Sequence, residues 1–454
     1  MTDWPYDAGI PALGEVLDAG RMAARIADHL HATGAPASVS VSRCVLEKTY
    51  YRPGRHLGVL YRTAFDAPGS PPFEQWIYLR AFTPEIGRQR YDNAIGSVNG
   101  VRPHPAPLAS VPPLAFWDDL LVSVALFPYD RKLPHLARAA DPERIAGELE
   151  RRFGAGTWRS PVMLEPIKYM PGKRCVLKLR AGAPQGKPAL SFYAKTYPAG
   201  ESGRHYQAWR SVRAQLDAQG SRFDLPRPLG HLEDLHTVWV EDWGGSPLLD
   251  SLGDPSWEAK VRLAAEAVAA LHRSRIDGLP PAPSEGDILE VSAADLAREG
   301  AGVPEHPRLA AAIRARLEAA RPATAGGAPR VPVHGACRAE QMLARADCAT
   351  LVDFDAMACG DPLADVAEWI ASIEFLAITG GLDPEPLRRS AALFLESYSA
   401  LTPWPLDSRR LAWHVLAFLA SKMCSVRQHL NVAAVERLRA HGEAWVERWM
   451  EVLA

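Results

Sequence analysis

The reading of this chain turns on Val331-Pro332-Val333-His334-Gly335-Ala336-Cys337-Arg338-Ala339-Glu340-Gln341-Met342-Leu343, then Leu351-Val352-Asp353-Phe354-Asp355, then Gly360-Asp361-Pro362 and Asp365. A loop over 322–333 enters a strand, a polar loop follows, and a second apolar step, Leu351-Val352, ends in two carboxylates two positions apart. A loop and an adjacent strand in that order present their side chains at one point. Downstream, from Trp369 onward, the pattern is almost wholly helical. Upstream, Val261, Ala265, Val268 and Leu271 fall on one face of a helix expected over 257–272, with a loop at 278–283 and another helix over 309–320. The run Thr237-Val238-Trp239-Val240 reads as a buried strand ended by Glu241-Asp242-Trp243-Gly244-Gly245.

Farther upstream the texture becomes extended and repeats. After a helical lead-in strongest over 23–31, residues 39–51 alternate, Pro53-Gly54-Arg55 forms a turn, and strands are expected over 57–63 and 75–82, followed by a basic helix-compatible stretch. The same texture returns 118 positions later: Leu164-Glu165 and Tyr169-Met170-Pro171-Gly172-Lys173 echo Leu46-Glu47 and Tyr51-Arg52-Pro53-Gly54-Arg55. Phe192-Tyr193-Ala194-Lys195-Thr196-Tyr197 then echoes Ile77-Tyr78-Leu79-Arg80-Ala81-Phe82, and Gly203-Arg204-His205-Tyr206 echoes Gly87-Arg88-Gln89-Arg90-Tyr91. An internal repeat and a chance likeness of two hairpins both account for this, because hairpin turns draw on few residue types. The proline-rich stretch over 101–114 reads as the linker between the copies. The expected division is a cap with the partial repeat at 1–115, a second sheet with its lead-in at 116–245, and a mainly helical part at 246–454. Strands with a helix followed by a helical half is an α+β order, not the alternation of a parallel doubly wound sheet.

On the segment 331–370 the sequence resembles the aminoglycoside phosphotransferase and choline/ethanolamine kinase superfamily. There a His-Gly-Asp loop is followed five positions after its Asp by an Asn, then by a strand bearing a metal-binding Asp, then by Gly-Asp-Pro and a further Asp. The resemblance implies a two-lobed protein-kinase-like fold, with the first repeat as an extra N-terminal segment like a duplicated N-terminal lobe. It implies ATP and magnesium as cofactors and a small-molecule hydroxyl as acceptor. Phosphoryl transfer needs a carboxylate to align and deprotonate the attacking hydroxyl, and oxygen ligands to hold magnesium on the phosphates. Asp353 falls at the metal-binding Asp and Gln341 at the Asn, while Asp355 adds a second carboxylate beside them. Asp361 and Asp365 match the downstream acids and are expected to be structural, bonding loop backbone and His334.

The departure is Ala336, at the position of the catalytic Asp. A methyl group neither accepts a proton nor aligns a hydroxyl. Three accounts stand open: a naturally degenerate protein acting as scaffold or regulator for a protein partner, an enzyme with a displaced base at Asp355 or Glu340, and an engineered substitution. Upstream, Lys195 falls where the resemblance places the lysine that meets the ATP phosphates, with Glu201 the only acid near enough to pair with it. Residues 238–243 resemble the hinge that receives adenine, with Glu241, Asp242 and Trp243 at its end, and Lys173 lies in the turn expected to cover the phosphates. In the first copy Arg80 takes the lysine position and no His-Gly segment follows, so that copy reads as a cap or interaction domain. His272 reads as a packed core histidine.

Composition bounds the rest. With 47% hydrophobic and 23% charged residues and a net charge of −2, the 454-residue chain suits two or three globular units and gives no electrostatic reason to expect nucleic acid or a membrane as partner. The first residues lack a basic-then-apolar leader pattern. Six scattered cysteines, with no Cys-x-x-Cys pair, point away from zinc and from a disulfide framework and toward a reduced cytoplasmic protein.

Overall fold

The computed structural model describes residues 6–454 apart from 85, 97, 99–100, 102–105, 155, 185–188, 222, 301–306 and 323–328. The alternating stretches close into two antiparallel sheets of the same design. In the first, α1 (Leu13–Leu17) and α2 (Ala19–Thr33) lead to β1 (Ser40–Arg52), β2 (His56–Ala67) and β3 (Ser70–Phe82), then α3 (Gly87–Ile95), β4 (Leu114–Trp117) and β5 (Val122–Leu126). In the second, α4 (Leu136–Ala139) and α5 (Pro142–Phe153) lead to β6 (Arg159–Met170), β7 (Arg174–Gly182) and β8 (Leu190–Thr196). There α6 (Ser202–Gln219), β9 (Pro228–Leu232) and β10 (Thr237–Glu241) complete the set. The strand orders are β1-β2-β3-β5-β4 and β6-β7-β8-β10-β9.

Local chemistry repeats along with the topology. The helices α2 and α5 start on aspartate caps, Asp18 accepting from the Gly20 and Arg21 amides and Asp141 from those of Glu143 and Arg144. In the first copy Asp7 accepts from the Tyr51 hydroxyl and the Gly54 amide, both at 2.8 Å. In the second, Asp130 accepts from the Tyr169 hydroxyl at 2.9 Å and the Gly172 amide at 2.6 Å. Each aspartate thus fastens the first hairpin turn of its sheet. The two lie in matching stretches, Pro-Tyr-Asp-x-x-x-Pro-x-Leu at 5–13 and 128–136, which the sequence reading passed over.

The proline-rich stretch at 101–114, of which 102–105 fall outside the described residues, does not separate the copies. It joins α3 to β4 within the first sheet, and β4 straddles the expected boundary at 115. Prolines cannot donate to a sheet ladder, so the stretch runs as a connection before pairing resumes. One copy gives way to the next at Phe127-Pro128.

Strand alternation buries one face of each sheet. Leu57, Val59, Tyr61, Ile77 and Leu79 pack with Val16, Met22, Ile26 and Leu30 of α1 and α2. Leu177, Leu179, Phe192 and Trp239 pack with Ile145 and Leu149 of α5, and the same cluster takes in Leu60, Trp76 and Phe127 from the first copy. Both copies belong to one compact unit, residues 1–206, 228–242 and 428–430.

The second unit, residues 207–227, 243–427 and 431–454, is mainly helical. It holds α7 (Trp257–Arg273), α8 (Glu285–Gly300), α9 (Pro307–Ala319), α10 (Pro362–Gly380), α11 (Pro384–Leu401), α12 (Ser408–Gln428) and α13 (Val432–Val452). Its short strands are β11 (Ser246–Pro247), β12 (Val331–Val333), β13 (Met342–Ala344), β14 (Ala349–Leu351) and β15 (Ala358–Gly360). Trp369 and Phe394 stack at 4.0 Å in its core, where Trp413 and Tyr398 are also fully buried. The chain is α+β, with two N-terminal sheets of one topology in the first unit and a mainly helical second unit. Among the described residues no helix is long and apolar enough to cross a membrane, and all six cysteines are free thiols.

Candidate functional site

In the helical unit, two short antiparallel pairings gather the loop and the acidic turn. The strands β12 and β15 pair Val331 with Gly360 and Val333 with Ala358, so residues 334–357 leave and return at one place. The β13–β14 hairpin then brings the chain back onto itself, and the Val352 amide donates to the Gln341 carbonyl at 2.9 Å. Gln341 and Asp353 are thereby neighbours through backbone geometry.

The helix α10 holds the loop from the other side with Asp365, Glu368 and Ser372, whose spacing sets them on one helical face. Asp365 is fully buried; it accepts from the His334 amide at 2.5 Å and the Gly335 amide at 2.9 Å. The His272 Nε2 lies 3.1 Å from the same carboxylate, and its Nδ1 lies 2.8 Å from the Tyr398 hydroxyl. Burial pushes the Asp365 carboxyl up, but the bonds and charge of His272, with His334, outweigh it and hold it below the usual range. The Ser372 hydroxyl accepts from the Ala339 amide at 3.0 Å. Asp361 instead caps α10 through the Leu363 amide and meets Arg410 and His414.

His334 is itself buried, and its Nε2–H donates to the Val352 carbonyl at 3.1 Å. Burial lowers its pKa, so the ring is a neutral spacer between loop and turn, with Phe354 edge-on at 4.9 Å. Gly335 takes φ +73°, and a Cβ there would collide with the Ala356 carbonyl oxygen. Asp353 also lies in the left-handed region, at φ +74° and ψ +58°, a conformation that costs of order 1 kcal/mol outside glycine and gathers at functional sites. Asp355 follows in a short 3-10 turn, half-buried like Asp353. Ala336 leaves its position in the loop without a carboxylate. The donors and acceptors around Gln341 fix its amide with the nitrogen toward the Ala336 carbonyl, at 2.9 Å, and the oxygen toward the Arg338 guanidinium. Burial pushes the Cys337 thiol well up, which makes it an inert packing group.

One group went unread in the sequence. Glu368 is half-buried, 3.9 Å from the Arg338 Nε, and burial pushes its carboxyl up to about 7 against the pull of Arg338 and Lys422. Helical spacing from Asp365 was the signal that pointed to it. Glu340 is exposed.

In the β-rich unit, Lys195 lies one residue from the end of β8, 6% exposed, across from Val176 on β7 and Val238 on β10, with its Nζ 5.6 Å from the Tyr197 ring centroid. Glu201 is exposed just before α6 and forms no ion pair among the described residues, so it does not supply the expected partner. Lys173 is exposed in the turn that Asp130 fastens. Glu241 ends β10 opposite Phe192. Asp242 binds Lys178 at 2.9 Å and accepts from the Ser191 hydroxyl at 2.6 Å, so its carboxylate is spent on the sheet. In the helical unit Trp243 is 3% exposed, donates its indole N–H to Asp224 at 2.7 Å and carries the Arg345 guanidinium 3.8 Å above its ring.

The model of the phosphotransferase enzyme family matches residues 179–404. Among solved structures, the chain is similar to a choline/ethanolamine kinase family protein from Mesorhizobium loti, at 14% identity and TM-score 0.45 over 68% of this chain and 98% of that one. It is also similar to a choline kinase from Cryptosporidium parvum, at 12% identity and TM-score 0.46 over 69% and 95%. An aminoglycoside phosphotransferase from Streptomyces rimosus matches at 19% identity and TM-score 0.39 over 62% and 98%. No curated protein matches the sequence.

Proposed function

We propose that this chain, whose residues 179–404 match the model of the phosphotransferase enzyme family, is a member of that family that binds a nucleoside triphosphate with magnesium and is impaired in phosphoryl transfer. The observation behind this reading is Ala336, set in a loop whose supports are all in place. Asp365 holds the His334 and Gly335 amides, His334 ties the loop to Val352, and Gly335 makes the close turn that only glycine permits. A scaffold that keeps its positioning and lacks its proton acceptor suits ligand retention better than turnover.

The donor set fits magnesium held through Asp353, since that ion keeps most of its water and takes one or two carboxylates together with phosphate oxygens. Bound there, the ion would neutralise charge on the phosphates. Gln341 adds nothing to such a site while Arg338 occupies its amide oxygen. Lys195 is the cation assigned to the phosphates, and the acceptor class is a small hydroxyl-bearing metabolite.

The test is a series on Ala336→Asp, Asp353→Ala and the parent, with magnesium-dependent ATP binding and ATP-dependent phosphorylation both measured. Loss of a general base costs roughly 10²- to 10⁴-fold. The parent should therefore bind Mg-ATP with little turnover, Ala336→Asp should raise the residual rate, and Asp353→Ala should abolish the magnesium dependence. Robust turnover by the parent would overturn the impaired reading. The near-neutral carboxyl of Glu368 favours one specific form of that outcome, with a displaced base, and Glu368→Gln, Asp355→Asn and Glu340→Gln would locate it by silencing.

A further inference from the structure

The arginines of the first sheet and its helices fall into two groups. Arg21, Arg25, Arg43, Arg62 and Arg88 each meet a carboxylate, from Asp18, Asp119, Glu74, Glu47 and Asp92 respectively. Arg52, Arg55, Arg80 and Arg90 meet none among the described residues. This second group is gathered at one end of the sheet. Arg80 of β3 and Arg90 of α3 both lie against Phe82, their guanidinium carbons 4.8 and 5.5 Å from its ring centroid, and the His56 ring stands 6.5 Å from the same centroid. Arg52 pairs directly with His56 across the β1–β2 turn, and Arg55 lies within that turn.

Two features set the cluster apart from a solvated basic face. Arg80 is half-buried, and its Nε is closed off from solvent without a hydrogen-bond partner. A buried donor left unpaired is costly, more so when charged, and calls for an occupant. Burial, followed by the charges of Arg80, Arg52, Arg90 and Arg55, also pushes His56 down to about 4, so the imidazole adds no charge at neutral pH while the guanidinium groups stay unbalanced.

Register gives an independent reason to see a built site. Arg80 sits across from Gly58 on β2 and Ser123 on β5, as Lys195 sits across from Val176 on β7 and Val238 on β10. The turn beside it, fastened by Asp7, carries Arg55 where the second copy carries Lys173, and adds Arg52 where the second copy has Met170. We propose that the first sheet holds an anion site of its own, in which Arg52, Arg55, Arg80 and Arg90 grip the phosphate groups of a small polyphosphate-bearing ligand. Four guanidinium forks require more than one negative charge and several oxygens set around a centre, which a single carboxylate does not offer. The site does not depend on nucleotide binding through Lys195.

The probe is inorganic tripolyphosphate, titrated calorimetrically into the full-length protein at constant ionic strength, with thermal melts run in parallel. Saturable binding is expected that persists in Lys195→Ala and weakens at least tenfold in Arg80→Gln. Without the anion, Arg80→Gln should melt at or above the parent, since a buried unpaired charge has been removed. With saturating tripolyphosphate it should melt below the parent. The exposed double substitution Arg52→Gln/Arg55→Gln, which does not touch the core, should weaken binding in the same direction. Equal binding by the parent and both variants would show only a solvated basic face and overturn the proposal. So would an Arg80→Gln melting temperature lowered equally with and without the anion, the mark of a purely structural guanidinium.

Discussion

At Asp361 burial and bonding pull a carboxyl in opposite directions, and bonding wins. Burial raises its pKa, yet His414, Arg410 and the Leu363 amide bring it down from 3.8 to about 2. A carboxylate whose folded pKa lies below its unfolded value adds stability that is complete above about pH 4 and is lost as pH falls toward the folded value. The shift amounts to roughly 2 kcal/mol at neutral pH. Asp361→Asn keeps an oxygen for the helix cap but not the charge, so it should lower stability by about that much at pH 7 and flatten the stability curve between about pH 5 and pH 2. Denaturant melts across that range decide it; parallel curves for variant and parent would exclude Asp361 as the titrating group. At this scale the sequence was partly legible. Motif spacing singled out Asp353, Asp361 and Asp365, whereas Glu368 meets Arg338 across separate elements and the contact of Arg338 with Gln341 depends on side-chain orientation within the loop.

The hairpin turn is the element that repeats most closely. In both copies Tyr-x-Pro-Gly is tied by one aspartate to a tyrosine hydroxyl and a glycine amide. That geometry fixes Gly54 at φ +63° and Gly172 at φ +73°, which explains why glycine recurs there. Asp130→Ala should cost about 1–3 kcal/mol, because the Tyr169 hydroxyl is left buried and unpaired. It should also speed amide exchange at Gly172 and Lys173 while leaving Gly54 unchanged, since Asp7 still holds the first turn. Unchanged exchange at Gly172 would mean that the turn is held by something other than Asp130. The hairpins were legible because residue types and their order dictate a turn locally. The short strands β4 and β9 were not, since each is a brief edge strand paired on one side only with the strand that follows it, and the proline-rich approach to β4 looked like a linker.

On the scale of the whole β-rich unit, the two copies are not independent. Leu60, Trp76 and Phe127 of the first copy are buried in the cluster that contains Leu177, Phe192 and Trp239 of the second. Burying three such side chains is worth roughly 5–8 kcal/mol, comparable with the total stability of an ordinary domain. A chain begun at Pro128 should therefore melt far lower than the full-length protein or lose its cooperative transition, and it should bind a hydrophobic dye. A truncated chain melting at the same temperature would show that the first copy is an appended module. By itself the sequence determined the α+β order, the internal echo of the hairpins and the spacing of His334, Ala336, Gln341 and Asp353, because periodicity, turn chemistry and motif spacing are local. Only the tertiary structure decided that β4 and β5 complete the first sheet, that the two copies share a core, that Arg338 takes the Gln341 oxygen, and that Arg80 and Arg90 meet at Phe82 near Arg52 and Arg55 without carboxylates. Pairing, burial and charge balance are properties of neighbours in space, which the order of residues along the chain does not by itself reveal.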